Sequence, residues 1–233
     1  MWKKDESVQW ISMSDMMTGL MLIFLLIAVA FMYEVQLKQK EKDKILVEYN
    51  NSKLQLYKEL KNNFKNKQKT WWMNINSDLE IKFNKQDINF ETDSYVIPEN
   101  FNKILKDFIP KYLSIINNKK YEDKITEIKI LWHTGECKDF EYEECLILSQ
   151  RRANSVLIYL QNTDTFKKLK KEEKDKLNFW FTANWMWDWR LLDENWNFIY
   201  KSKLKADNQK SRRVEFKIIT NSDNVIKNII NKK

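Results

Sequence analysis

One acidic residue lies at the edge of a long apolar segment, where its charge could do chemistry. Residues 16–33 contain no charged side chain, and as a helix they span about 27 Å, close to the thickness of a hydrocarbon core. Asp15 precedes them and lies about 7.5 Å inside Trp10 along such a helix. Its charge would be costly at that depth, which makes Asp15 a candidate functional residue that needs a partner. The alternative is that Ser14 or Asp15 only caps a helix that begins at Met16.

Basic residues form a second group with chemical potential. Four of the five arginines occur as two adjacent pairs, Arg151–Arg152 and Arg212–Arg213, and a guanidinium can grip a carboxylate through two parallel hydrogen bonds. His133, the single histidine, has no nearby nucleophile, which favours a structural role. No nucleophile–base pair or metal cluster is visible in the sequence, so we predict no enzyme, no metal and no other cofactor.

The two cysteines, Cys137 and Cys145, are eight residues apart, and no His or Cys pair lies near them at zinc-ligand spacing. In an exported domain they could form a local disulfide; the alternative is two unpaired thiols. If they pair, the connectivity is unambiguous, because the chain has no other thiol.

The overall composition predicts a folded domain and argues against nucleic acid as a direct partner. Of the 233 residues, 43% are hydrophobic and 14% are aromatic, which is enough for a packed core. The net charge of +8 comes mainly from lysines spread along the chain, whereas a protein that reads a nucleic-acid groove uses arginine more freely. Only two glycines occur, so we expect asparagines at left-handed turn positions.

Three consecutive elements must position these residues, and the first two are helical. Trp10 and Tyr33 frame a membrane-spanning helix, since aromatic side chains prefer the membrane interface. The segment that follows is charged and lacks Gly and Pro. Its apolar residues have helical spacing: Ile45, Tyr49, Leu56, Leu60 and Phe64. In a dimer this stripe could form a short coiled coil; a solvated helical stalk is the alternative.

The third element begins near residue 75, where helix and strand patterns alternate. We expect strands near 79–83, 87–91, 125–132, 177–182 and 213–219, and helices near 98–117 and 146–161. Pro98 is well suited to open the first of these helices. This order predicts an α+β or α/β sandwich with helices packed on a mixed sheet.

The membrane segment resembles that of MotB-type stator subunits. The sequence WISMSDMMTGLM at 10–21, followed by Phe24 and Leu25, follows that family's pattern of an aromatic residue, Asp, an apolar pair, Thr, a small residue and a run of Leu, Met and Phe. The resemblance implies that Asp15 carries the ion, which we take to be a proton, and that the amino terminus is cytoplasmic. Lysines after the helix favour the opposite orientation, but a long exported domain can be translocated regardless of its charge.

Residues 75–220 resemble an OmpA-like peptidoglycan-binding domain. ILWHT at 130–134, LSQRRA at 148–153 and SRRVE at 211–215 correspond, in order and spacing, to that family's strand ending in Gly-His-Thr-Asp, to Leu-Ser-x-x-Arg-Ala and to Asn-Arg-Arg-Val-Glu. The resemblance implies a site for the diaminopimelate of the peptide stem. Its residues in this chain would be His133, Thr134, Arg152, Arg212 and Arg213.

Three positions of that site depart from the family pattern. Gly135 stands at the position of the aspartate, and Cys145 and Ser211 stand where the family has asparagines. A loop two residues longer than usual would allow Glu136 or Asp139 to supply the missing acid.

Among stator relatives, the compact length and modest linker look closer to the B subunit of Zorya anti-phage systems than to flagellar MotB. The resemblance implies a homodimer of this chain inside a pentamer of a MotA-like A subunit, with peptidoglycan as the anchor and cytoplasmic defence effectors as indirect partners. A flagellar stator subunit is the first alternative. The second is a passive OmpA-type wall anchor, in which Asp15 is only a helix cap.

We therefore expect a single-pass protein of the bacterial inner membrane, with a cytoplasmic amino terminus and a periplasmic carboxy-terminal domain. The expected segments are a cytoplasmic amino terminus (1–9), a transmembrane helix (10–33), a charged helical linker (34–74), the OmpA-like domain (75–220) and a carboxy-terminal tail (221–233).

Overall fold

The computed structural model describes residues 4–84, 88–91, 93–133, 142–186, 190–195 and 197–221, and it divides into two compact units at Tyr49. The first unit consists of the first part of helix α1 (Lys4–Phe64). Its large apolar side chains are exposed, for example Met16 at 80% and Phe24 at 62%. Within the described residues, α1 is the one helix long and apolar enough to cross a membrane.

The second unit, from Tyr49 onward, contains a five-stranded sheet and the helices that cover it. Its strands are β1 (Met73–Ile75), β2 (Glu80–Phe83), β3 (Ile125–His133), β4 (Phe181–Met186) and β5 (Arg213–Thr220). The helices after α1 are α2 (Glu99–Ile116), α3 (Tyr142–Asn162), α4 (Asp164–Lys167), α5 (Lys171–Trp180), α6 (Ile199–Ser202) and α7 (Asn208–Ser211), with a 3₁₀ turn at Lys119–Tyr121.

The sheet has the strand order β1-β2-β5-β3-β4, in which β3 and β4 are parallel and the other neighbours are antiparallel. At one end of the sheet, Met73 lies opposite Phe83, Phe83 opposite Val214, and Val214 opposite Trp132. We call this the site end of the sheet. The predicted fold class, one amino-terminal helix followed by an α+β sandwich with a mixed sheet, is confirmed.

Alternation along the strands gives the sheet two different faces. The helix-covered face carries buried apolar residues: Ile81, Phe83, Ile128, Ile130, Trp132, Val214, Phe216 and Ile218. The opposite face, which we call the charged face, carries Glu80, Lys82, Lys129, His133, Arg213, Glu215 and Lys217. The same period of two therefore separates an apolar core from an ionic layer.

Phe108 of α2 lies at the centre of the apolar core. Its ring centroid is 5.1 Å from those of Phe64, Phe83 and Phe216, and it stacks on Tyr112 at 5.0 Å. Burial of each such ring contributes about 1.5–3 kcal/mol to folding. These contacts join α1, α2, β2 and β5 into one core.

The last turns of α1 belong to this core. Leu56, Leu60 and Phe64 are fully buried, and the Tyr121 hydroxyl donates a 2.8 Å hydrogen bond to Glu59 on the same helix. The predicted helix through this segment is confirmed as far as Phe64. Leu56, Leu60 and Phe64 pack inside the second unit and are not available for a coiled coil, whereas Ile45 is exposed, so the choice between coiled coil and stalk stays open. The compact unit also begins well before residue 75, where the sequence places the start of the domain.

One predicted strand is wrong in its described residues, and a second is placed four residues too early. Residues 88–91 form no strand, although Ile88 and Phe90 are buried as the alternation suggests. The backbone turns there, and the Glu91 carbonyl accepts from Arg152 instead of pairing with a strand. In 177–182, helix α5 continues to Trp180 and β4 begins only at the next residue. The first region buries apolar residues without strand pairing, whereas in the second region pairing with β3 begins only at Phe181.

The expectation about left-handed positions is also wrong for the described residues. The non-glycine residues with positive φ are Trp72, Leu79, Asp93 and Lys203, at φ values from 49° to 59°, and none of them is an asparagine. Side chains rarely adopt this conformation unless the surrounding structure fixes it. Two of these residues, Asp93 and Trp72, lie at sites described below.

Candidate functional site

Predicted binding residues converge at the site end of the sheet. His133 ends β3 and lies opposite Arg213, the first residue of β5. Arg152 projects from α3, and its guanidinium is 5.6 Å from the Trp132 ring, one residue before His133. Arg212 directly precedes β5 and is exposed. Helix α3 and the antiparallel pair β3–β5 therefore bring four of the five predicted residues to the same end of the sheet, with His133 and Arg213 on the charged face and Arg152 over Trp132 on the other face.

The remaining predicted positions lie outside the described residues. They are Thr134, Gly135, Glu136, Cys137 and Asp139. Cys145, at the start of α3, is buried and disulfide-bonded. Its pairing with Cys137 stays a prediction.

Arg152 fixes the chain segment that precedes α2. Its Nε donates to the Ser94 carbonyl at 2.8 Å and its Nη2 to the Glu91 carbonyl at 2.9 Å. The guanidinium also lies 5.5 Å from the Phe90 ring centroid, within the range of a cation–π contact. Its Nη1 makes no hydrogen bond within the described part of the chain. Arg152 is therefore held rigidly while one donor group stays available.

The charges around Arg152 are of both signs. Burial and then the positive charge of Arg212 lower the pKa of the Arg152 guanidinium, the negative charge of Asp93 raises it, and the resulting pKa is about 10. The guanidinium is still protonated at pH 7. Asp93 is exposed, and its φ of 54° places it at a tight turn beside Arg152. The cluster of Arg152, Arg212 and Asp93 thus combines two cations with one anion at the protein surface.

Asp93 is the residue that sequence reasoning missed. The sequence predicts that Glu136 or Asp139, in the loop after β3, replaces the acid missing at Gly135. Among the described residues, the acid whose charge acts on Arg152 is Asp93, in the segment before α2. The run Glu91-Thr92-Asp93-Ser94 is polar and turn-forming, which would have pointed to a loop. Nothing in its spacing indicates that the loop folds back onto α3.

His133 and Arg213 belong to a buried ionic set on the charged face. Arg213 Nε donates to Glu215 Oε1 at 2.7 Å, and Arg213 Nη1 donates to the Ser211 carbonyl at 3.0 Å. His133 Nε2 lies 3.2 Å from Glu215 Oε2, but neither ring nitrogen makes a well-aligned hydrogen bond to any described residue. All three charged or titratable side chains are at most 4% exposed. They hold the strands together and are not open to a ligand.

Electrostatics in this set follow from burial and from Arg213. Burial lowers the pKa of His133 to about 4, and the charge of Arg213 acts in the same direction while Glu215 opposes it. His133 is therefore neutral at pH 7. Burial raises the pKa of Glu215, but its cationic neighbours outweigh that effect and hold the net pKa well below the usual range. Since His133 is neutral at pH 7, Arg213 is the partner that keeps Glu215 ionised there.

Ser211, which replaces an expected asparagine, has a structural role. Its hydroxyl is buried and accepts a 3.0 Å hydrogen bond from the Leu192 amide. This hydrogen bond joins Ser211, just before β5, to Leu192 in the segment that follows β4. Of the predicted site, the surface-accessible part is thus Arg152 and Arg212, joined by Asp93.

In the membrane segment, the structure places Asp15 within a helix. Helix α1 begins at Lys4, so Asp15 lies inside it and not at its first turn. The capping alternative, which requires a helix beginning at Met16, is therefore wrong. One turn further, the Thr18 hydroxyl donates to the Ser14 carbonyl at 2.8 Å, so this polar group is satisfied within the helix. In the described part of the chain, no group of three His, Cys, Asp or Glu residues is arranged to hold a metal ion.

Comparison with known proteins adds a relative that matches almost the whole chain. No protein-family model matches. The chain is 32% identical to Zorya protein ZorB from Escherichia coli over 236 aligned positions, which cover 98% of this chain and 95% of that protein.

Solved structures show more distant likenesses. The periplasmic domain of MotB from Helicobacter pylori is 15% identical with a TM-score of 0.39, and the match covers 66% of this chain and 84% of that one. The OmpA-like domain of FopA1 from Francisella tularensis is 15% identical with a TM-score of 0.36, covering 64% and 80%. An outer membrane protein from Borrelia burgdorferi is 22% identical with a TM-score of 0.36, covering 63% and 95%. At these scores the likeness carries no conclusion about binding.

Proposed function

The chain belongs to the family of Zorya protein ZorB, and from this premise we propose that it is the B subunit of an ion-driven, wall-anchored motor in an anti-phage defence system. The observation that carries the proposal is the length of the match, which covers 98% of this chain and 95% of its relative. It therefore includes the apolar helix with Asp15 as well as the domain with the Arg152 cluster.

For the motor, we propose that Asp15 carries a proton through the membrane. Asp15 lies inside a helix whose large apolar side chains are exposed, which is the expected arrangement for a segment that contacts lipid or other helices. The fitting partner is a ring of A subunits, a MotA-like pentamer around a dimer of this chain. Ion passage past Asp15 would turn that ring, and cytoplasmic effectors would receive the signal.

For the anchor, we propose that the Arg152 cluster binds the diaminopimelate of peptidoglycan. Diaminopimelate carries a carboxylate beside an amino group, so it needs a cation and an anion at adjacent positions. Arg152 and Arg212 provide positive charge, and Asp93 provides negative charge next to them. The Nη1 of Arg152, free within the described residues, is the natural donor to the carboxylate.

The proposed location is the inner membrane, with the amino terminus in the cytoplasm and the second unit in the periplasm. The disulfide at Cys145 supports export of this unit, because disulfides persist in the periplasm and are rare in the cytosol. In the part of the chain that the structure describes, one candidate membrane helix, near the amino terminus, supports one crossing.

The test is phage plating efficiency in cells that carry the complete defence operon. Asp15→Asn keeps the size and polarity of the side chain but cannot cycle a proton, so protection should be lost. Asp43→Asn is the matched control, since Asp43 lies on the same helix outside the apolar segment and is exposed. Membrane expression of each variant is matched by immunoblot.

Protection that survives Asp15→Asn would exclude the motor and leave a passive anchor. Arg152→Ala tests the other half of the proposal, because loss of the wall anchor should also remove protection while the protein stays in the membrane. Full protection in that variant would remove the Arg152 cluster from the anchoring role.

A further inference from the structure

A groove separate from the Arg152 cluster lies at the site end of the sheet, on the side of β1. Its volume is about 750 Å³. It is lined by the turn after α1, by β1 and β2, and by Leu192, Phe198 and Arg213. The residues that matter for recognition are Gln68, Trp72, Asn74, Asn84 and Phe198. None of them belongs to the Arg152 cluster.

Trp72 gives the groove an exposed aromatic surface. Its side chain is 61% exposed, although its backbone has a positive φ of 49° that few bulky residues adopt. The conformation is fixed on both sides, since the Met73 amide donates to the Gln68 carbonyl at 2.9 Å and the Asn84 amide donates to the Trp72 carbonyl at 3.4 Å. The ring is thus held at the surface by a rigid turn.

Three amide side chains around this ring are available for a ligand. Gln68, Asn74 and Asn84 make no side-chain hydrogen bond within the described residues. Asn76, which also lines the groove, differs because its amide already binds Glu80 and the backbone of its own turn. Each free amide offers two donors and an acceptor. The groove therefore presents unused neutral hydrogen-bonding groups beside an aromatic ring.

The cations of the groove are largely neutralised by the protein itself. Lys82 Nζ lies 3.0 Å from Glu80 and 3.6 Å from Glu215, and Arg213 is paired with Glu215 at 2.7 Å. Lys69 at the rim is the remaining cationic lining residue. An anionic ligand would find little unpaired positive charge, so the lining suits a neutral ligand with an apolar face and several polar groups.

An N-acetylated amino sugar has this chemistry. The C–H face of its ring can stack on an indole, and its acetamido and hydroxyl groups pair with amide side chains. We propose that the groove beside Trp72 binds N-acetylhexosamine units of the wall glycan. The inference rests on the proposed binding of peptidoglycan, and it assigns the sugar and the peptide of that polymer to two separate sites.

The two sites lie at the same end of the sheet but on opposite faces. Met73, next to Trp72, is connected to Trp132, under Arg152, by the register Met73–Phe83–Val214–Trp132, which crosses three strand spacings. At about 4.8 Å per spacing these strands are roughly 14 Å apart within the sheet. Because the groove borders Lys82 and Arg213 on the charged face, a polymer that reaches both sites must pass around the strand ends and span more than this length.

The test is calorimetric titration of the full chain in detergent with chitotetraose, a chain of four N-acetylglucosamine units that carries no peptide. The wild type should bind, Trp72→Ala should weaken binding about tenfold or more, and Trp72→Phe should retain most of it because the stacking surface remains. Phe179→Ala is the matched control, since Phe179 is also an exposed aromatic residue, at 79%, and does not line the groove.

A parallel titration with a stem tripeptide that ends in diaminopimelate separates this inference from the proposed function. Peptide binding that depends on Arg152, without sugar binding by the wild type, would overturn the glycan groove alone. Sugar binding that depends on Trp72, without peptide binding, would support the groove and overturn the Arg152 anchor. Equal sugar affinity of the wild type, Trp72→Ala and Asn74→Ala would also overturn the groove, because the sugar would then bind elsewhere.

Discussion

The two faces of the sheet are built from alternate residues of the same strands, yet different forces stabilise them. On the helix-covered face, Phe83 and Phe216 each lie 5.1 Å from the Phe108 ring, and their packing needs no charged partner. On the charged face, Arg213 and Glu215 are just as inaccessible, and they are stabilised as a pair. A low exposed fraction alone therefore does not show whether apolar packing or ion pairing stabilises a residue.

The two faces differ in how stability changes when one residue of a contact is removed. The stabilisation from an apolar contact decreases with the apolar area that is removed. A buried ion that loses its partner, in contrast, still carries the full free-energy cost of its desolvation. We expect the loss of one charged partner, or a decrease in pH, to lower the stability of the charged face. The helix-covered face should lose stability only with the apolar area removed, and its stability should not depend on pH. The predictions below test this contrast from the largest effect to the smallest.

The largest effect should follow removal of the guanidinium at the centre of the charged face. Arg213→Ala leaves the Glu215 carboxylate buried and without its 2.7 Å partner, which should lower the free energy of unfolding by about 3 kcal/mol. The value lies at the low end for such a loss because Lys82 remains 3.6 Å from Glu215. Urea unfolding of the full chain in mild detergent, followed by tryptophan fluorescence at pH 7.5, measures this change.

The neighbouring arginine supplies the control. Arg212 is exposed, so Arg212→Ala should change the free energy of unfolding by no more than about 0.5 kcal/mol. The double variant Arg213→Met with Glu215→Leu should regain stability, since it leaves no buried ion. Equal small losses in both single variants would show that the ion pair does not hold the charged face.

The next effect concerns pH and belongs to His133. Its pKa is about 4 in the folded chain and about 6.5 when unfolded, so between these values the unfolded state binds a proton that the folded state does not. Stability is full above pH 6.5 and falls as the pH decreases toward 4. At pH 5 the loss should be about 2 kcal/mol, at 1.4 kcal/mol per pH unit. Unfolding curves at pH 7 and pH 5 measure it.

Among the described residues, the other groups that act on His133 do not titrate in this window. The pKa of Glu215 is far below it, and Arg213 and Arg190, which also act on the imidazole, stay charged throughout. The chain has no second histidine. His133→Asn should therefore remove most of the difference in stability between pH 7 and pH 5. An undiminished difference in that variant would place the titrating group elsewhere.

Much of the fold could be predicted from the sequence because its patterns are periodic. Alternation predicted β2, β3 and β5, and helical spacing predicted α2, α3 and the stripe of α1. Alternation failed at 88–91, because two buried residues in a turn give the same pattern as a short strand. It failed at 177–182 because Leu177 and Trp180 have the spacing of one helical turn within an apolar run.

The candidate site was only partly predictable. Motifs located Arg152 and His133, but they could not show that His133 is buried and Arg152 partly accessible, since burial depends on which chain segments cover each strand end. Asp93 and Trp72 were not predicted, because a left-handed backbone is unusual for a residue as large as Trp72 and the approach of Asp93 to Arg152 joins segments that are distant in sequence. Long-range contacts of this kind have no local signal in one sequence.

The smallest effect has the opposite sign and comes from the helix-covered face. Tyr112 is fully buried between Phe108 and Phe216, and its hydroxyl has no hydrogen-bond partner among the described residues. The same burial raises the pKa of Tyr112, so the group stays neutral. Tyr112→Phe removes an unsatisfied polar group and keeps the ring, and it should raise the free energy of unfolding by about 1 kcal/mol at both pH 7 and pH 5. Tyr159→Phe is the control, because that hydroxyl donates to Asn102 at 2.6 Å and its loss should not stabilise the chain. A loss of stability in Tyr112→Phe would mean that the apolar face also depends on a polar contact, and the contrast between the two faces would no longer hold.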